Sequence, residues 1–274
     1  MDLDLSYYYK QAMASYKSPS QLARKVTEKW ASDNLYCPEC GRSLDQWPTN
    51  TPVYDFYCGH SDERIIIVPE HLPSSIENFQ LKSQKHQFYN YVLGGAYGPM
   101  VASLKAGRHP SLMLLHYHQQ KFEVEDVTLI HRLSITLSCI KARKPLSSQA
   151  KRRGWQGCVI LLDQIPAAGR IGVIENGNIL EKAAVIKSWN GITKILQGDL
   201  TQRGWIADIM RCIDRLPTNF TLSDAYEFET ELAKLHPENM HIKPKIRQQL
   251  QILRDRGYIK FIEPGKYEKT SQFL

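Results

Sequence analysis

Apolar positions along this chain first follow a mixture of helical and strand periods and then, from about Asp199 to Gly257, a helical one. Ser18-Pro19 reads as an N-cap with proline at the first helical position. Leu22, Val26 and Trp30 follow at helical spacing and predict an amphipathic helix. PVYDFYC and NFQLKSQ read as short strands; residues two apart in a strand share a face, so Gln80 and Lys82 point together while Phe79 and Leu81 enter the apolar side. Next, GGAYGPMVASLKAG predicts a short helix, and SLMLLHYH, EDVTLIH and CVILLDQI predict strands. Asn176-Gly177, between GVIE and NIL, marks a hairpin turn. The expected result is an α/β mixed sheet with flanking helices.

In the C-terminal part, Ile206, Ile209, Met210, Ile213 and Leu216 form one stripe, and Thr221 with Asp224 three residues on caps a second helix. A third helix carries Ile242, Ile246, Leu250 and Leu253 on one face and ends at Gly257. YIKFIEPGKYEKT then supplies two extended runs around a type II turn at Pro264-Gly265. Three helices followed by a β-wing predict a winged helix. The expected domains are residues 1–195 and 196–274, with no Pro/Gly/Ser-rich linker over 188–200.

Composition narrows the class. The chain has 274 residues, 42% apolar and 23% charged, and no apolar run nears the roughly 20 residues that span a bilayer, so no membrane partner is expected. MDLDLSYYYK is acidic and aromatic, unlike a secretory signal, and a cytoplasmic enzyme is expected. Six cysteines in that compartment favour metal ligation or burial over disulfides. The net charge of +7 biases the partners toward polyanions. Residues 141–157 carry six basic residues and no acid, and 241–260 carry six against the single acid Asp255, which predicts two phosphate-binding surfaces.

Three constellations carry candidate chemistry. Asp55 on one strand can face Gln80 and Lys82 on the next, an arrangement suited to Mg²⁺-assisted phosphodiester hydrolysis. Cys37 and Cys40 form a CxxC knuckle, and Cys58 adds a third thiolate for one tetrahedral Zn²⁺. On the third C-terminal helix, Pro244, Arg247, Gln248 and Gln251 lie opposite the apolar stripe, with Lys245 and Arg254 at its edges. Arginine and glutamine read guanine and adenine edges, while Lys243 and Lys266 suit phosphates. Trp155 follows Lys151, Arg152 and Arg153 and sits between Gly154 and Gly157, which suits a wedge into the base stack or an apolar wall for methyl groups.

YKSPSQLAR, YCPECG, DFYCGH, LKSQK, KARKPLSSQAKRRGWQGC, RGWIADIMRCID and HIKPKIRQQLQILRDRGYIKF together resemble the DpnI family, methyl-directed restriction endonucleases that cut GATC carrying N6-methyladenine. The resemblance implies a PD-(D/E)XK nuclease-like sheet with a zinc knuckle, acting on adenine-methylated double-stranded DNA; a monomer is expected. It implies that Asp55 is the metal-bridging carboxylate, that Gln80 and the Leu81 carbonyl are further Mg²⁺ ligands, and that Lys82 orients or deprotonates the attacking water. It also implies that the Trp155 loop contacts the methylated target.

Two departures stand out. The family closes its zinc set with a second CxxC, whereas here Cys58-Gly59-His60-Ser61 ends in serine. His60 is then the expected fourth ligand, with His71 and Asp62 as alternatives. The family has an acid where Gln80 stands, beyond an insertion (HSDERIIIVPEHLPSSIEN), and Glu77 or Glu63 is expected to supply the missing charge. A DNA-binding methyl reader or regulator with a weakened or vestigial nuclease site is the alternative reading. A related nuclease with altered specificity is a third.

Overall fold

The computed structural model describes residues 1–47, 54–71, 91–118 and 120–270. In chain order, α1 (Ser6–Met13), α2 (Pro19–Asn34), β1 (Asp45–Gln46), β2 (Phe56–Tyr57) and β3 (Arg64–His71) precede β4 (Tyr91–Ala96), α3 (Tyr97–Lys105), β5 (Ser111–His118) and β6 (Glu123–Ile130). Next come β7 (Ile140–Ala142), β8 (Gly157–Leu161), β9 (Arg170–Glu175), β10 (Asn178–Ile179) and α4 (Lys182–Ile195). The chain continues with α5 (Leu200–Asp214), β11 (Asn219–Thr221), α6 (Leu222–Tyr226), α7 (Glu229–Leu235), α8 (Ile242–Asp255), β12 (Ile259–Glu263) and β13 (Lys266–Lys269). Two compact units result. Met1–Tyr89, Pro110–Arg132 and Ile171–Trp189 form the first; Asn90–His109, Leu133–Arg170 and Asn190–Leu274 form the second.

The first unit is built on a seven-stranded mixed sheet in the order β1-β2-β3-β5-β6-β9-β10. β3 pairs antiparallel with β2 and parallel with β5, which in turn pairs antiparallel with β6. β3 falls in the segment read as an insertion relative to the family, so that segment contributes a strand to the middle of the sheet. Ile65, Ile66, Ile67 and Val68 form a continuous apolar run, with Ile65 and Ile67 buried on one face and Ile66 and Val68 half-buried on the other. α2 has Pro19 in its first turn, although the Ser18 side chain makes no cap hydrogen bond. Val26 and Trp30 are buried as the helical spacing predicts, and the Trp30 indole N–H donates to the Asp2 carbonyl at 2.7 Å. Asn176 (φ +49°) and Gly177 (φ +74°) supply the left-handed backbone of the β9–β10 turn.

In the second unit β4, β8 and β7 form a small sheet beside a helical segment. Ile206, Ile209, Met210 and Ile213 of α5 are buried together with Ile246, Leu250 and Leu253 of α8 in one apolar cluster. Asp199 caps α5, its side chain accepting from Gln202 N–H at 2.8 Å. Thr221 and Asp224 form the reciprocal capping box at the start of α6. That helix is short, and α7 follows it as a separate turn of structure. After α8, β12 and β13 form an antiparallel hairpin whose turn contains Gly265 at φ +76°, and β11 pairs with β13 on its other side. Among the described residues, no helix is long and apolar enough to cross a membrane.

Candidate functional site

Asp55 stands just ahead of β2, and its backbone N–H donates to the Ile65 carbonyl at 3.0 Å. Its carboxylate turns onto the adjacent strand, where Oδ2 accepts the Ile67 N–H at 2.8 Å. Arg24 of α2 approaches Oδ1 at 3.7 Å while its Nε donates to Glu28 at 2.5 Å. Lys25 donates to the other Glu28 oxygen at 2.9 Å. Burial raises the Asp55 pKa above the ordinary carboxylate value; the Ile67 hydrogen bond opposes this, the Glu28 charge adds to it, and the Arg24 and Lys25 charges lower it. Two carboxylates therefore share one neighbourhood with two cations. The sequence reading missed buried Glu28, whose only signal is its place three and four residues after Lys25 and Arg24 on a helix.

Gln80, Leu81, Lys82 and Glu77 lie outside the described residues. The strand alongside Asp55 is β3, with Ile65 to Val68 along its middle. Glu63 is buried elsewhere: Ser111 Oγ donates to Oε2 at 2.8 Å and Arg132 Nε to Oε1 at 3.1 Å. Burial raises its pKa against the opposing pull of Arg132 and Ser111.

Cys37, Cys40 and Cys58 converge, their sulfurs all within 4.8 Å of one another and none in a disulfide. The Cys40 and Cys58 sulfurs are 3.5 Å apart. A Zn–S bond of about 2.3 Å gives a tetrahedral edge of roughly 3.8 Å, so the set fits one zinc ion. Gly41 at φ +74° closes the knuckle, its N–H donating to the Cys37 carbonyl at 2.8 Å. Ser61 Oγ lies 3.4 Å from the Cys37 sulfur. The His60 ring instead lies against the Arg42 guanidinium, its two nitrogens 2.9 and 3.0 Å from Nη1. Burial pushes the Cys37 thiol up to about 12. At Cys58 burial acts in the same sense but is outweighed by hydrogen bonds from Ser61, the His60 N–H and Cys40, so that thiol is lowered.

The Trp155 loop is a closed extension of the β7–β8 hairpin: Leu146 N–H donates to Trp155 O at 2.9 Å, and Gly154 N–H to Leu146 O at 3.1 Å. Trp155 is half-buried, and a side chain at Gly157 would meet its ring at 2.8 Å, so the glycine makes room for the indole. The Arg152 guanidinium sits 4.9 Å from the Trp155 ring centroid, and Arg153 is exposed.

On α8, Lys243, Pro244, Arg247, Gln248, Gln251 and Arg254 are all exposed on one face. Lys245 is half-buried, its ammonium 5.6 Å from the Trp205 ring centroid. Tyr226, at the end of α6, was not singled out from the sequence. Its hydroxyl accepts from Arg247 Nε, and the Lys243 ammonium lies 5.5 Å from its ring centroid. Lys243 also pairs with Glu229 at 3.3 Å, Arg254 with Asp255 at 2.8 Å, and Lys266 on the hairpin with Glu263. These are exposed ion pairs worth little individually, and solvent or a polyanion can displace them.

The family model described as DpnI, the Dam-replacing family, matches residues 3–198. A second, described as the Dam-replacing HTH domain, matches residues 201–269. The chain therefore belongs to the Dam-replacing (DpnI) family and ends in that family's helix-turn-helix domain. α5 to α8 and the following hairpin are the structural content of the second match.

Proposed function

We propose that this protein is a methyl-directed restriction endonuclease that hydrolyses double-stranded DNA at GATC sites carrying N6-methyladenine. The observation that carries the reading is the family match, which runs from residue 3 to 269 and joins the region of Asp55 to a helix-turn-helix domain. In this reading residues 1–195 form a PD-(D/E)XK catalytic domain and residues 196–274 a winged helix, in a cytoplasmic monomer.

Asp55 would hold Mg²⁺ together with the Gln80 side chain and the Leu81 carbonyl. Bound there, the ion supplies Lewis-acid stabilisation of charge on the scissile phosphate. Lys82 orients the attacking water and accepts or stabilises its proton. Glu28 stands near Asp55 but is paired with Arg24 and Lys25, so it does not replace the charge that the glutamine at position 80 cannot bring. Cys37, Cys40 and Cys58 would hold a structural Zn²⁺, with the fourth position beside Ser61 and His60 held off by Arg42.

Arg247, Gln248 and Gln251 would read base edges, with Lys243, Lys245, Arg254 and Lys266 on phosphates. Arg152 and Arg153 would bring phosphate toward Trp155, whose half-buried ring offers an apolar surface to a methyl group. One methyl is worth roughly 1 kcal/mol, so a single contact discriminates only modestly. Two reading elements would multiply their factors.

One observation favours the second reading, a methyl-dependent DNA binder with a weakened nuclease: Asp55 Oδ2 is already engaged by β3, whose residues beside it are apolar. Digestion of plasmid from methylating and non-methylating hosts with Mg²⁺ separates the two. Cutting of methylated plasmid alone supports the endonuclease; binding without cutting supports the reader.

A further inference from the structure

A second constellation lies in the first unit, away from Asp55 in sequence and on other strands. His116 of β5 stands directly opposite Asp126 of β6 in the ladder, and the register shifts between His116 and Tyr117. That irregularity leaves Glu125 as an extra residue on β6, so both acids can meet the same histidine. One ligand atom from each of His116, Glu125 and Asp126 lies within 4.8 Å of the others. The His116 side chain is 9% exposed and that of Asp126 13%, with His116 Nδ1 at 3.4 Å from Asp126 Oδ2.

The two acids are incompletely satisfied. Glu125 Oε2 is buried from solvent without a hydrogen-bond donor, and the buried Asp126 Oδ2 makes no hydrogen bond beyond its 3.4 Å approach to His116 Nδ1. Their remaining contacts pin the β9–β10 turn: Asn176 N–H donates to Asp126 Oδ1 at 2.8 Å, and Gly177 N–H donates to the Glu125 backbone carbonyl at 2.8 Å. A desolvated carboxylate oxygen with no donor, next to a second one met only by an imidazole at 3.4 Å, is costly unless a cation lies between them. A depression of about 440 Å³, lined by Asp4, Glu123, Glu125 and Asn176 among others, reaches Glu125 and provides a way in.

We propose that His116, Glu125 and Asp126 bind one divalent first-row cation of the Mn²⁺ or Zn²⁺ class. The ion ties the β5–β6 bulge to the β9–β10 turn. One imidazole nitrogen with two carboxylate oxygens is a donor set for such ions, whereas Mg²⁺ and Ca²⁺ prefer oxygen alone. The 3.4 Å between His116 Nδ1 and Asp126 Oδ2 lets both lie about 2.0 to 2.4 Å from one centre, the Glu125 carboxylate closes on the same ion from within 4.8 Å by a small side-chain rotation, and water completes the coordination through the depression. The site is separate from the three thiols and from Asp55, and it does not depend on the nuclease reading.

The test is Mn²⁺ titration of zinc-loaded full-length protein, followed by electron paramagnetic resonance, in an Asp55→Asn background that removes the candidate catalytic carboxylate. One Mn²⁺ per chain is expected. Glu125→Gln and Asp126→Asn, which retain the backbone and Asn176 contacts, are each expected to weaken it by about 10- to 100-fold or more. Mn²⁺ is also expected to raise the unfolding temperature of the parent protein and to lose that effect in both variants. Absence of bound Mn²⁺ in the folded parent, or equal affinity in both variants, would overturn the proposal.

Discussion

Asp55 accepts the backbone N–H of Ile67 through Oδ2 at 2.8 Å, so the candidate catalytic acid is also a brace between β2 and β3. Because burial raises its pKa above 3.8, the folded chain holds the Asp55 proton more tightly than the unfolded chain does. That contribution to stability is fully present below the unfolded value and is lost as pH rises through the folded one. At neutral pH without divalent metal the ionised carboxylate therefore costs stability. Asp55→Asn keeps an acceptor for Ile67 and is expected to raise the midpoint of urea unfolding at pH 7 but not at pH 3. An equal gain at both pH values would contradict the burial argument.

The thiol cluster sets a second expectation. Zinc at a hundredfold excess over its dissociation constant stabilises the fold by about 2.7 kcal/mol. Stripping it should lower the melting temperature by roughly 5 to 10 °C. Ser61→Cys places a thiol beside the Cys37 sulfur and is expected to slow chelator extraction of zinc, whereas His60→Ala is expected to leave it unchanged. Metal analysis during dialysis against chelator distinguishes these outcomes, and zinc loss in His60→Ala alone would move the fourth ligand back to the histidine.

Sequence reading reached the periodic elements and stopped at those fixed by tertiary contact. The apolar stripes of α2, α5 and α8 were visible because helical spacing shows which face is buried, and Cys37, Cys40 and Cys58 because knuckle spacing brings sulfurs together. β3 was missed because a continuous run such as Ile65 to Val68 has no alternation to mark it. Glu28 and Tyr226 were missed for a different reason. Each acquires its role from a residue on another element, Asp55 in one case and Arg247 in the other, and no local spacing records that. The same holds for Ser61, which approaches Cys37 only because the knuckle and the β2–β3 turn fold together.

The exposed face of α8 is expected to divide by chemistry. Arg247→Ala should weaken binding to the preferred duplex by about 1–3 kcal/mol and relax preference at one base pair. Lys266→Ala should weaken all duplexes alike and reduce the salt dependence by about one counterion. Binding isotherms over a range of salt concentrations and a panel of single-base variants read both effects. Uniform weakening by Arg247→Ala would assign it to phosphate contact instead.

Asp208 is buried within the second unit, where Ser138 Oγ donates to Oδ1 at 3.0 Å and His236 Nε2 lies 2.9 Å from Oδ2. The His236 ring stacks on Trp205 at 3.6 Å between centroids. Asp208→Ala leaves His236 without this acceptor, while Ser138 keeps Thr136 Oγ1 at 2.8 Å, and is expected to cost about 1–3 kcal/mol of stability. Chemical denaturation measures this, and a loss below about 1 kcal/mol would show that water replaces the carboxylate.

Single-turnover cleavage of a short GATC duplex, fully methylated at adenine N6 or unmodified, tests the nuclease reading most directly. Wild-type protein with Mg²⁺ should cut only the methylated duplex, while Asp55→Asn and Lys82→Ala should bind it with near-normal affinity and leave it whole. Cleavage retained in both variants, or tight methyl-dependent binding by wild type without any cutting, would contradict the account.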